Sequence, residues 1–164
     1  MKKVLIIMGS DSDLPVMEGC FKALKKFGIP FDAKICSAHR SPETAKELSS
    51  TAREKGYGVI IAAAGLAAHL PGVLAAFTTL PVIGVPCKGG ALSGVDALYA
   101  IVQMPSGIPV ATVAIDGATN AGILAAEMFS IFDDTIAGLL SDHKKELEAA
   151  VKEKDKSLQE KLNS

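Results

Sequence analysis

Val4-Leu5-Ile6-Ile7-Met8, followed at once by Gly9-Ser10-Asp11-Ser12-Asp13, decides how the chain is read. The apolar run is continuous, the pattern of a strand buried on both faces, as in a parallel sheet. The Gly/Ser/Asp run is the turn after it. Leu14, Met17, Phe21, Leu24 and Phe27 then recur at helical spacing, and Gly28 closes that helix. The same order recurs downstream. Phe31 to Cys36 reads as a second strand, and Ser41 and Pro42 are a plausible N-cap and first residue of a helix to about Lys55. Gly56-Tyr57-Gly58 breaks the chain before a third buried strand, Val59 to Ala64. A short helix to Phe77 and a fourth strand, Pro81 to Pro86, follow. Cys87 to Ser93 reads as a flexible loop, Gly94 to Val102 as a helix, Val110 to Ile115 as a fifth strand and Asn120 to Ser130 as a helix. Alternating strands and helices predict a doubly wound α/β fold with a central parallel sheet.

From Asp133 onward the composition shifts to Lys, Glu and Asp, while Ile136, Leu140, Leu147, Val151, Leu158 and Leu162 keep an apolar stripe. Residues 133–164 are read as one long C-terminal helix. Its stripe is either a solvated face or one that packs on another subunit. No linker or internal repeat divides the chain, so 1–164 is expected to form a single domain.

The 164 residues suffice for one sizeable core, and a hydrophobic content of 49% argues against disorder. A net charge of -1 gives no reason to expect nucleic acid or an anionic membrane as partner. No signal peptide is recognised at the start, and no apolar run approaches the roughly 20 residues that span a bilayer. Cys20, Cys36 and Cys87 are odd in number and form no C-x-x-C pair, which suits a reducing compartment; the cytoplasm is the expected location.

Three strand-to-helix turns carry polar groups: Gly9 to Asp13, Ser37 to Arg40, and Gly65 to Gly72. In a parallel sheet they share the carboxyl edge, where ligands bind. Hydroxyls of Ser10, Ser12 or Ser37, the Arg40 cation and helix-start N–H groups suit a phosphate. There is no G-x-x-x-x-G-K-[ST] and no G-x-G-x-x-G after a strand, which argues against ATP hydrolysis and NAD chemistry. Asp11 is read as a helix-dipole partner, and Asp13 is suited to ribose hydroxyls. The two carboxylates lack the further ligands of a metal site, and no metal or other cofactor is expected. His39 either braces its turn or, with a free pKa of about 6.5, acts as general acid and then base. His69 lies at the same edge, so two histidines can face one pocket, without zinc-site spacing. His143 is read as solvated and Cys36 as packing. Gly89-Gly90 is either a lid hinge or a plain surface loop.

Several motifs occur together and in order: Met8-Gly9-Ser10-Asp11-Ser12-Asp13, Ser37-Ala38-His39-Arg40, Ala67-Ala68-His69-Leu70-Pro71-Gly72, Pro81 to Pro86 and Ile101-Val102-Gln103-Met104-Pro105. Over about residues 3 to 130 the chain resembles the bacterial PurE family, the N5-carboxyaminoimidazole ribonucleotide mutases of purine synthesis. The resemblance implies a flavodoxin-like three-layer sandwich, a homo-octamer, and a reaction without metal or ATP. It implies that His39 is the catalytic acid/base and that Ser10, Ser12, Asp13, Ser37 and Arg40 bind the ribonucleotide. Ala64, Gly65, Ala67, His69 and Leu70 would frame the base and carboxylate. Where many members have two glycines this chain has Gly65-Leu66, and a leucine narrows the backbone allowed there. The related carboxylase, acting on free carbon dioxide, and a non-catalytic ribonucleotide-binding module remain as alternatives. The Ala67 to Gly72 block favours the mutase branch.

Overall fold

From Val4 onward every residue of the first apolar run is buried, and the run forms the interior strand β1 (Lys3–Met8). β1 pairs in parallel with β2 (Phe31–Ile35) on one side and β3 (Tyr57–Ala64) on the other. β4 (Val82–Pro86) and β5 (Ala111–Thr112) complete a parallel sheet in the order β2-β1-β3-β4-β5, the flavodoxin-like order. The computed structural model describes residues 2–163. Among these, no helix is long and apolar enough to cross a membrane.

Among the described residues six α-helices follow the strands: α1 (Leu14–Lys26), which a 3-10 turn at Asp11–Asp13 precedes, α2 (Pro42–Ser50), α3 (Leu70–Ala76), α4 (Val95–Val102), α5 (Ala118–Ser130) and α6 (Asp134–Leu162). Right-handed crossovers send a helix to one face or the other according to the direction of travel across the sheet. The β1-to-β2 step runs opposite to the later steps, so α1 lies on one face and α2, α3 and α4 on the other. On the latter face Ala45, Leu74, Ala97 and Ile101 join Leu5, Ile7, Ile60 and Ala62 in one core cluster. The two-residue period turns Val4, Ile6, Ile61 and Ala63 the other way, and all four are buried too. The start of α5 meets α1 there through small residues. A Cβ at Gly122 would lie 3.0 Å from the Cys20 carbonyl oxygen, and one at Gly19 would fall on Thr119 Oγ1.

By compactness the chain falls into two units, one reaching Ala125 and one beginning at Ala126. The second holds the end of α5 and the whole of α6. Asp133 caps α6, its Oδ1 accepting from the N–H groups of Thr135 (3.0 Å) and Ile136 (3.2 Å). Ile136 and Leu140 of the expected stripe are buried, whereas Leu147, Val151, Leu158 and Leu162 are exposed. His143 is half-buried, not solvated, with Nδ1 3.8 Å from Glu146 Oε2.

Several boundaries differ from the sequence reading. The second helix stops at Ser50 because Ser50 and Thr51 hydroxyls donate to the Glu47 carbonyl, and residues 51–56 form turns. Only Gly56, at φ +84°, breaks the chain there; Tyr57 and Gly58 already belong to β3. The fifth strand is two residues instead of six. It pairs with β4 alone, and Asp116, at φ +56°, turns the chain so that its N–H meets the Pro86 carbonyl at 2.8 Å.

A polar cluster joins the first three strands at their amino ends. Lys3 Nζ donates to Asp32 Oδ2 at 2.7 Å, Tyr57 Oη donates to the same oxygen at 2.6 Å, and Lys3 lies 4.8 Å from the Tyr57 ring centroid. The Lys3 and then the Tyr57 hydrogen bond hold the Asp32 carboxyl below its ordinary 3.8. A depressed carboxyl pKa contributes stability that is present above the unfolded value and lost as pH falls through the folded one. Asp32→Asn should therefore lower the melting temperature near neutral pH, by no more than a few degrees for a solvent-screened pair. The deficit should close in acid below the carboxylate range. A thermal-melt series with an equal deficit at both ends of that range would count against the cluster.

Candidate active site

Register brings the strand ends level. Met8 lies opposite Ile35 and Ala63, and Ala64 lies opposite Pro86. Beyond those ends, backbone bonds still tie Cys36 N to Met8 O (2.8 Å), Gly9 N to Ala63 O (3.0 Å) and Cys87 N to Ala64 O (2.9 Å). The chain then parts into four turns around a cavity of about 550 Å³. Ser10, Ser12 and Asp13 line it from the first turn, and Ser37, His39 and Arg40 from the second. Ala64, Gly65, Ala67 and Leu70 line it from the third. Of the residues expected from sequence, His69 alone is absent from the cavity wall; it reaches the site through His39.

The first turn is fixed by a reciprocal cap. Ser10 Oγ accepts from Ser12 N (3.3 Å) and Asp13 Oδ2 accepts from Ser10 N (3.1 Å). Asp13 is only 8% exposed, and burial pushes its carboxyl above the usual range. Asp11 lies outside the main cavity, its Oδ1 accepting from Ser10 Oγ at 3.0 Å.

The second turn is a closed loop. Ser41 is the N-cap of α2 by position, but its hydroxyl makes no capping bond. It donates to Ser37 O (2.9 Å) and accepts from Ser37 N (3.1 Å) instead. Ser37 Oγ in turn accepts from Arg40 N at 3.2 Å. Cys36 is buried with Sγ 3.7 Å from the Ser41 carbonyl, a packing role. His39 Nε2 and His69 Nδ1 are 2.8 Å apart, with the rings edge to face. One nitrogen must donate and the other accept, so while this bond lasts the pair can carry one positive charge but not two.

Leu66 in the third turn adopts φ +49°. Gly65 before it leaves no slack, because a Cβ there would lie 3.2 Å from the Cys87 carbonyl oxygen. The fourth turn brings in Lys88, Gly89 and Gly90, which line the cavity with Leu66, Gly9 and Ala38. Lys88 is not among the site residues expected from sequence, although it stands two residues past a buried strand, on the same sheet edge. Lys88 N donates to Asp116 Oδ1 at 2.8 Å. Burial, then the Asp13 and Asp116 charges, push the Cys87 thiol up to about 12, so it stands as a neutral group. Among the described residues no three His, Cys, Asp or Glu side chains converge as metal ligands.

A cavity at the carboxyl edge of a flavodoxin-like sheet, lined by serine hydroxyls, an arginine and an imidazole bonded to a second imidazole, defines a small-molecule enzyme of the α/β class. The family model described as AIR carboxylase matches residues 3–150, and the chain belongs to that family. It is 56% identical over 155 residues to the N5-carboxyaminoimidazole ribonucleotide mutase of Pyrococcus horikoshii, covering 94% of this chain and 88% of that one. It is 52% identical over 160 residues to the protein of the same name from Thermotoga maritima, covering 98% and 94%. A crystal structure of Treponema denticola PurE superposes with a TM-score of 0.82 at 31% identity, over 94% of this chain and 97% of that one.

The Asp13 environment makes a testable prediction. Its folded pKa is raised, so ionisation at neutral pH opposes folding, and that opposition disappears as pH falls below the unfolded value. Asp13→Asn removes the charge yet keeps an oxygen for Ser10 N–H, and should melt no lower than the parent at pH 7. Asp13→Ala orphans that N–H and should lose about 1 kcal/mol, the usual scale for a cap. Denaturant titrations placing the Asn variant below the Ala variant would contradict this.

Proposed function

We propose that the chain is an N5-carboxyaminoimidazole ribonucleotide mutase, moving a carboxylate from N5 to C4 of the aminoimidazole. The observation that carries it is the His39–His69 pair at 2.8 Å at a cavity that Ser10, Ser12, Ser37 and Arg40 also line. Relatives bearing the mutase name match over most of their own length. In this reading Arg40 and the serine hydroxyls bind the phosphate, as a fixed cation and donors to anionic oxygens. Asp13 accepts from ribose hydroxyls, and Ala64, Gly65, Ala67, His69 and Leu70 frame the base and carboxylate.

The reaction follows from one shared proton site. His39 protonates N5 of the carbamate, the N–C bond breaks with its electron pair going to nitrogen, and carbon dioxide is released. The ring is now an enamine, and electron density from the amine lets C4 attack carbon dioxide and form the new C–C bond. His39, now neutral, takes the C4 proton and is ready for the next turnover. His69 shares a hydrogen bond with His39 Nε2 and so holds the His39 ring in place. The cavity supplies proximity and excludes water, with the loop around Gly89-Gly90 as the covering segment. These acid, base and binding groups are all side chains of the chain itself. Its three free, buried cysteines suit a cytoplasmic location.

One observation keeps a second reading in view. The Saccharomyces cerevisiae phosphoribosylaminoimidazole carboxylase is 56% identical over 130 residues, although the match covers only 23% of that protein. Substrate labelled in its transferable carboxylate, turned over in unlabelled bicarbonate, separates the two. The mutase delivers most of the label to C4 before appreciable reverse reaction; a carboxylase gives product carrying solvent carbon. His39→Asn should keep the fold and cut turnover by at least about 10²-fold. Near-normal turnover in that variant would remove His39 from the chemistry.

We further propose a homo-octamer. Phe132 is 92% exposed, and Leu147, Val151, Leu158 and Leu162 stand open at helical spacing along α6. Light scattering should show a particle of eight chains. A monomer at micromolar concentration would sink the assembly without touching the chemistry.

A further inference from the structure

We propose that Leu66 is a positioning residue: its side chain latches onto Gly90 and holds the Cys87-to-Gly90 loop closed over the cavity, retaining the released carbon dioxide. This rests on the mutase reading. Among the described residues three non-glycine positions have a positive φ, Leu66 (49°), Ser93 (51°) and Asp116 (56°). All three gather around one loop. Leu66 touches it at Gly90, Ser93 follows it just before Gly94, and Asp116 accepts from Lys88 N at 2.8 Å. A left-handed residue with a Cβ is strained and persists where its surroundings over-determine it, most often at ligand clamps.

At Leu66 the determinants are visible. Gly65 is pressed on the Cys87 carbonyl, and Ala68 N donates to Leu66 O at 2.8 Å, which winds the turn tightly. Glycine would suit this conformation better. Leucine gains reach. Its Cδ2 occupies the space that a Cβ on Gly90 would fill, so bulk at one position answers its absence at the other. Leu66 and Gly90 both line the cavity. The species to be retained is small, neutral and poorly hydrated, so an apolar closure holds it better than a polar one, which would admit water. Asp116 anchors the base of the loop and Leu66 its tip.

Leu66→Gly relieves the strain, so it should melt at or above the parent temperature. It should nevertheless let the Gly89 and Gly90 amides exchange roughly three- to tenfold faster with deuterium, as for a loop that has lost a docking contact. With carboxylate-labelled substrate, it should release at least about threefold more label to bicarbonate, with KM changed by less than about twofold. Gly90→Ala drives a methyl into Leu66 Cδ2 and also places a Cβ on a backbone at φ +60°. In the Leu66→Gly background the methyl meets no leucine and only the backbone strain remains, so Gly90→Ala should speed exchange less there than in the parent. Unchanged exchange and label retention in Leu66→Gly, or additive effects in the double variant, would overturn the latch. Label loss in the unmodified protein would instead overturn the mutase reading, and the exchange data would still judge the contact.

Discussion

Level strand ends are the constraint on which the site depends. β1 pairs in parallel on both sides, with Met8 opposite both Ile35 and Ala63, and β3 carries the same level to Pro86 of β4. Four turns therefore leave the sheet along one line. A slip of one residue in β3 would exchange its two buried faces and move Gly65 to Leu70 away from the serines of the first turn. The apolar packing of Leu5, Ile7, Ile60 and Ala62 sets that alignment, and the Gly9 N to Ala63 O and Cys87 N to Ala64 O bonds continue it into the turns.

Polar chemistry is divided between the two edges of the sheet. At the amino ends Lys3, Asp32 and Tyr57 satisfy one another and act on stability. At the carboxyl ends polar groups are only partly matched. Ser37 and Ser41 are used to shape their loop, whereas Arg40 and His39 remain exposed. This division lets the site hold unspent hydrogen-bonding capacity while the rest of the sheet holds the fold.

The buried strands were legible because both-face burial demands unbroken apolar runs, as in Val4 to Met8 and Val59 to Ala64. The Ser37 to Arg40 and Gly9 to Asp13 turns were legible for the same reason in reverse, as polar punctuation between such runs. Long-range geometry was not. The fifth strand looked like Val110 to Ile115, but only Ala111 and Thr112 pair, because Asp116 turns the chain back to Pro86. The second helix looked longer because hydroxyl-to-carbonyl bonds at Ser50 and Thr51 compete with the helix in ways a spacing pattern does not carry. Lys88 and the Leu66–Gly90 contact depend on two loops meeting across a strand pair, which neither loop encodes alone.

The three thiols give the protein a built-in clock for its own opening. Cys20 on α1, Cys36 past β2 and Cys87 past β4 are all buried and unpaired. Burial pushes the Cys20 and Cys87 thiols up to about 12, so neither presents a thiolate to an electrophile at neutral pH. Alkylation must wait for the segment around each to part from the core, and its rate then counts those excursions. Because the three sit in separate neighbourhoods, one reagent reads three local opening equilibria from a single unmodified chain. Cys87, beneath the loop over the cavity, reports motion at the site itself.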